Sequence, residues 1–143
     1  MGQSVDTSDG LLSRVLVPVA TEQDARKTAE QLAVYDPEHV TALHVVEKGE
    51  GVPDKTPVEQ SETIAEGAFD AVREVFPDAE TATAYDRSIV EAIFATAEDV
   101  DASAIAYRSR GGNRLVHFLS GDLSLKLVTK STRPVIALPR FEE

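Results

Sequence analysis

The chain contains no cysteine and no tryptophan. The absence of cysteine excludes disulfides, a thiol nucleophile, thiolate zinc sites and cysteine-ligated iron–sulfur clusters, and nothing calls for an oxidising compartment. No apolar run approaches the roughly 18 residues that a membrane-spanning helix requires, so no membrane insertion is expected. Positive charge is scarce: 14 Lys and Arg stand against 25 Asp and Glu, a net charge of -11. A surface of that sign repels phosphate backbones and anionic lipid, which argues against nucleic acid as a partner. The opening residues, MGQSVDTSDG, show neither the basic nor the apolar stretch of a signal peptide, and Asp6 stands where a myristoylation motif wants Ser or Thr. The expected location is the cytoplasm.

What is present suits one soluble domain. A length of 143 residues with 42% hydrophobic and 27% charged residues is enough to bury one core. The acids are spread along the chain, and the bases are nine Arg and five Lys. That distribution suits the cytoplasm of a haloarchaeon-like, salt-adapted organism, where carboxylates stay hydrated and salt screens their repulsion; an acidic mesophilic protein is the alternative.

After a polar leader, residues 1–13, expected to be extended or disordered, strands and helices alternate over 14–140. Arg14 to Val19 is a short β-branched run of the kind buried on both faces of a sheet. Thr21-Glu22-Gln23-Asp24 has the form of a helix start, with Ala25, Ala29, Leu32 and Ala33 as its apolar stripe and Asp36-Pro37 as its stop. Val40 to Val46 is a second buried strand, followed by a loop over 47–55. Thr56-Pro57-Val58-Glu59 opens a helix carrying Ile64, Ala68, Val72, Val75 and Phe76 at helical spacing, ended by Pro77. Glu80 to Tyr85 reads as a weaker strand, and Ser88-Ile89-Val90-Glu91 as a third helix start. Ala104 to Tyr107, a glycine-bearing loop, a helix over 122–130 and Pro134 to Leu138 complete a β-α-β-α-β-α-β-α-β order. Such alternation predicts a parallel sheet with right-handed crossovers, a doubly wound α/β domain whose ligands bind beyond the carboxyl ends of the strands.

Several segments resemble the universal stress protein (UspA-like) family: Val15-Leu16-Val17-Pro18-Val19, Leu43-His44-Val45-Val46, Ser109-Arg110-Gly111 with Gly121 ten positions later, and the ending Arg133 to Pro139. The resemblance implies a three-layer α/β/α domain with a five-stranded parallel sheet of order 3-2-1-4-5, of the adenine nucleotide alpha hydrolase-like type. It implies an ATP or AMP cleft between strands 1 and 4, with a glycine motif G-x2-G-x9-G-(S/T) around the phosphates. Family position puts Pro18, Val19, Ala20, Val45, Tyr107, Arg108, Arg110, Gly111, Gly121, Asp122, Leu123 and Ser124 at that cleft.

Against that pattern the site is altered. Ala20 stands where nucleotide-binding members carry an Asp, Arg108 replaces the first motif glycine, and Asp122 replaces the hydroxyl residue; Gly111 and Gly121 are retained. Two further family glycines fall on Arg87 and Arg114. An Asp in the first turn of a helix puts negative charge where a phosphate would sit. The stretch from Ala104 to Gly121 contains no acid and carries +3 through Arg108, Arg110 and Arg114, leaving -14 on the other 125 residues. Guanidinium groups could receive phosphate there, or could pair with Asp122 and neighbouring acids and close the cleft, which is the favoured expectation.

His44 is expected to be a packing histidine and His117 a surface residue, and His39 has no partner at metal-ligand spacing. No P-loop, nucleophile elbow or dinucleotide fingerprint is present, and Thr21 and Ser124 suit helix ends better than catalysis. The expected function is a stress-response binding or regulatory module rather than an enzyme, with no certain cofactor. Expected partners are an unidentified protein and a second copy of the chain paired through Val135, Ile136, Ala137 and Leu138. A nucleotide-binding member with slow ATP hydrolysis is the alternative.

Overall fold

The computed structural model describes residues 10–47, 58–108 and 121–139. The elements are β1 (Val15–Pro18), α1 (Glu22–Ala33), β2 (Val40–Glu47), α2 (Val58–Val75), β3 (Glu80–Asp86), α3 (Ile89–Asp99), β4 (Ala104–Arg108), α4 (Gly121–Lys130) and β5 (Val135–Leu138). All strands pair in parallel in the order β3-β2-β1-β4-β5, the predicted doubly wound arrangement.

Alternation along each strand divides the core between the two faces of the sheet. Val15, Val17, Ala42 and Ala106 point to the side covered by α1 and α2, where Ala25, Leu32, Ala68 and Val72 meet them. Leu16, Leu43, Ile105 and Tyr107 point to the other side, against Ile89, Ile93 and Ala97 of α3 and Leu127 of α4. The helices press alanines onto the sheet, which lets their backbones lie close to it. The stripes are narrower than the sequence suggests: Ala33 of α1 and Ile64 of α2 are exposed.

Helix starts follow their side-chain chemistry. Thr21 Oγ1 accepts the Asp24 N–H at 3.2 Å, and Ser88 Oγ accepts the Glu91 N–H at 3.2 Å. Such a cap satisfies one of the donors that the first helical turn leaves over. The predicted start of α2 at Thr56-Pro57 lies outside the described residues. Ahead of β1, the Ser13 N–H and hydroxyl both bond the Gly10 carbonyl, and Leu12 packs on the α1/α2 core. β2, β3 and β4 each run one residue beyond their predicted ends, to Glu47, Asp86 and Arg108.

Candidate functional site

β1 and β4 run side by side but pair only at Val15↔Ala104 and Leu16↔Ile105, so beyond those residues they part toward their carboxyl ends. β1 stays joined to β2, the Val19 N–H donating to the Leu43 carbonyl at 2.8 Å. The strand order reverses at this gap, which is where an open α/β sheet offers a ligand crevice.

Arg108, the last residue of β4, sits on the edge of the gap. The two-residue period that points Ala106 at α1 carries Arg108 to the same face. There its Nη1 lies 3.5 Å from Asp24 Oδ1 of α1, with side chains only 12% and 5% exposed. The Arg108 Nε is buried with no hydrogen-bond partner. The ion pair thus spans the crevice, joining the end of β4 to the helix that follows β1.

Asp24 is held from several directions. Its Oδ2 accepts the Ala20 N–H at 2.7 Å, its backbone N–H is capped by Thr21, and the Thr28 hydroxyl donates to its carbonyl at 2.8 Å and lies 3.4 Å from Oδ1. The carboxylate also lies in the first turn of α1, where the positive end of the helix dipole favours negative charge. Asp24, Thr28 and Gln31 form a buried polar line on α1 beside its apolar stripe, and the Gln31 Oε1 has no partner.

Of the residues expected at the cleft, Val19 and Ala20 follow β1 directly, next to the pair, and Pro18 is the buried last residue of the strand. Val45 lies inside β2 and Tyr107 inside β4, both buried on the α3 side of the sheet. Gly121, Asp122 and Leu123 form the start of α4, with side chains outside the described set, and Ser124 is half-buried in the same helix. Arg110, Gly111, Arg114 and His117 lie outside the described residues, and Arg87 is exposed after β3. In the sequence Asp24 stands out only as part of a helix start. Its spacing with Thr28 and Gln31, four and seven residues on, is the signal that these polar side chains share a face.

Beneath the crevice, His44 of β2 is buried, and its Nδ1 lies 3.3 Å from the Val19 carbonyl, an arrangement that calls for the proton on Nδ1. Burial pushes the imidazole pKa below its ordinary value, and the Val19 carbonyl opposes that shift in part. Among the described residues no cluster of His, Asp and Glu is placed to hold a metal ion. No described helix is long and apolar enough to cross a membrane.

The fold and the gap define a class: a doubly wound α/β domain whose strand order reverses where β1 and β4 part. The chain belongs to the universal stress protein family, whose family model matches residues 12–139. No curated protein sequence matches it significantly. Among solved structures it is similar to a universal stress protein from Archaeoglobus fulgidus in complex with dAMP, at 18% identity, TM-score 0.65, covering 88% of this chain and 97% of that one. It is also similar to the universal stress protein UspA from Lactobacillus plantarum, at 23% identity, TM-score 0.61, covering 88% and 97%. A third, a universal stress protein in complex with cAMP, is 15% identical with TM-score 0.60 over 87% and 96%. At these identities the likeness shows a shared fold.

Proposed function

We propose that this protein is a cytoplasmic universal stress protein of the binding or regulatory kind, not an enzyme, whose nucleotide crevice is occupied by its own Arg108 and Asp24. The observation that carries this reading is the buried ion pair across the gap between β1 and β4. Relatives of the same fold are known with dAMP and cAMP, so an adenine nucleotide is the ligand class against which the crevice is judged. Here Ala20 offers no carboxylate, Arg108 fills space that a glycine leaves open, and Asp122 adds negative charge at the start of α4. Losing two or three charge-assisted bonds, each worth about 1.5–3 kcal/mol, turns a micromolar complex into a millimolar one or weaker.

Among the described residues β5 is an edge strand, paired only with β4, which supports a homodimer formed through Val135 to Leu138, since an exposed strand edge otherwise invites aggregation. The acidic surface fits a salt-rich interior.

The test is a reversion. Ala20→Asp, Arg108→Gly and Asp122→Ser combined should raise ATP affinity at least about tenfold by calorimetry in multimolar KCl, one charge-assisted bond being worth that much. No gain would contradict the occupied-crevice reading. The second reading, slow ATP hydrolysis or AMP binding with phosphates held by Arg110, Gly111 and Gly121, draws on the acid-free arginine stretch; nucleotide carried through purification would favour it.

A further inference from the structure

The two partners of the buried pair are unequally satisfied. Asp24 keeps its Ala20 N–H bond, its Thr28 contacts and the helix dipole whether or not Arg108 is present. Arg108 has five N–H donors, and among the described residues its one ion pair is a single contact at 3.5 Å, far from the two-pronged geometry that a guanidinium makes with a carboxylate. Its Nε is buried and unpartnered. An orphaned donor on a charged group is costly, and the group that suits a guanidinium edge best is an oxyanion presenting two oxygens.

We propose that Arg108 is an oxyanion receptor latched by Asp24: a phosphate group competes with the Asp24 carboxylate for the guanidinium, engaging Nε and one terminal nitrogen together. The proposal rests on the reading that this pair occupies the crevice, and it names what the pair gives way to. Asp24 serves as the latch because its other bonds hold it in place while Arg108, on a flexible stem at the end of β4, turns away. In the wild-type protein the carboxylate's charge and contact keep oxyanion binding weak.

Asp24→Asn separates the two roles. The asparagine side-chain oxygen still accepts the Ala20 N–H, but the negative charge facing Arg108 is gone. The experiment is calorimetric titration, with thermal unfolding in parallel, of wild type, Asp24→Asn and the double variant Asp24→Asn/Arg108→Gln. Inorganic phosphate, AMP and adenosine are added at ionic strength matched with KCl. Asp24→Asn should bind phosphate and AMP about tenfold more tightly than wild type, the equivalent of one charge-assisted bond, and the double variant should lose that gain. AMP binding more tightly than phosphate identifies a nucleotide as the carrier of the group, and equal binding identifies free phosphate. A gain for adenosine equal to that for AMP, no gain in Asp24→Asn, or a gain that survives Arg108→Gln overturns the proposal. If Asp24→Asn fails to fold, Arg108→Gln in the wild-type background decides: the small rise in unfolding temperature that phosphate gives wild type should vanish, and its persistence overturns the proposal. This test leaves Ala20 and Asp122 untouched, so its failure is distinguishable from failure of the triple reversion.

Discussion

Arg108 and Asp24 form a buried ion pair across the gap between β1 and β4. Breaking a buried pair by removing one partner leaves an uncompensated charge, so Asp24→Ala should cost about 3 kcal/mol of stability by urea unfolding. It also exposes the Ala20 N–H. His44 gives the molecule a pH dependence whose sign follows from burial. Its folded-state pKa lies below the 6.5 of the free side chain, so the unfolded chain binds the proton more readily. Its contribution is therefore complete above pH 6.5 and is lost as pH falls through the folded-state value. His44→Gln, which keeps a donor for the Val19 carbonyl, should lose less stability than wild type between pH 7 and pH 5, read as the urea midpoint. An equal loss would remove His44 as the source. At this scale the sequence puts Arg108 beside the crevice and anticipates acids against it, naming Asp122, whose side chain lies outside the described residues, and its neighbours. Among the described residues the acid against Arg108 is Asp24, which the sequence does not single out, because a pairing across the crevice depends on α1 lying over the end of β4, and no local pattern in Thr21 to Asp24 contains that information.

At the level of elements, short local signals carried most of the architecture. Val15 to Pro18 and Ala104 to Tyr107 are legible as buried strands because all their side chains are apolar or aromatic, and Thr21 and Ser88 are legible as caps because their oxygens suit the first-turn donors. Thr21→Ala should cost about 1 kcal/mol, measured by chemical unfolding, and because the same residue caps the Asp24 N–H, it should also loosen the latch. The buried polar line Asp24, Thr28 and Gln31 was not legible, since hydrophobic periodicity counts apolar residues and passes over a polar face that is also buried. Strand ends shifted for a related reason: Asp86 and Arg108 continue β3 and β4 through backbone pairing that their polar side chains do not advertise.

For the whole molecule, the strict alternation of strands and helices and right-handed crossovers leave few topologies, and the sheet order 3-2-1-4-5 is the one adopted. Assembly is where β5 matters. If the last strands pair, light scattering in high salt should give twice the 15.4 kDa of one chain, and Ala137→Lys, a charge on an exposed edge position, should shift the protein toward the monomer. The net charge of -11 divides into an acidic body and one arginine-bearing stretch, and Arg108, the first arginine of that stretch, pairs with Asp24 of the body. The most direct test of this arrangement is calorimetric titration of the wild-type protein with ATP, ADP and AMP in multimolar KCl. A crevice filled by Arg108 and Asp24 predicts dissociation constants of about a millimolar or weaker for all three. A micromolar constant for any of them would contradict it.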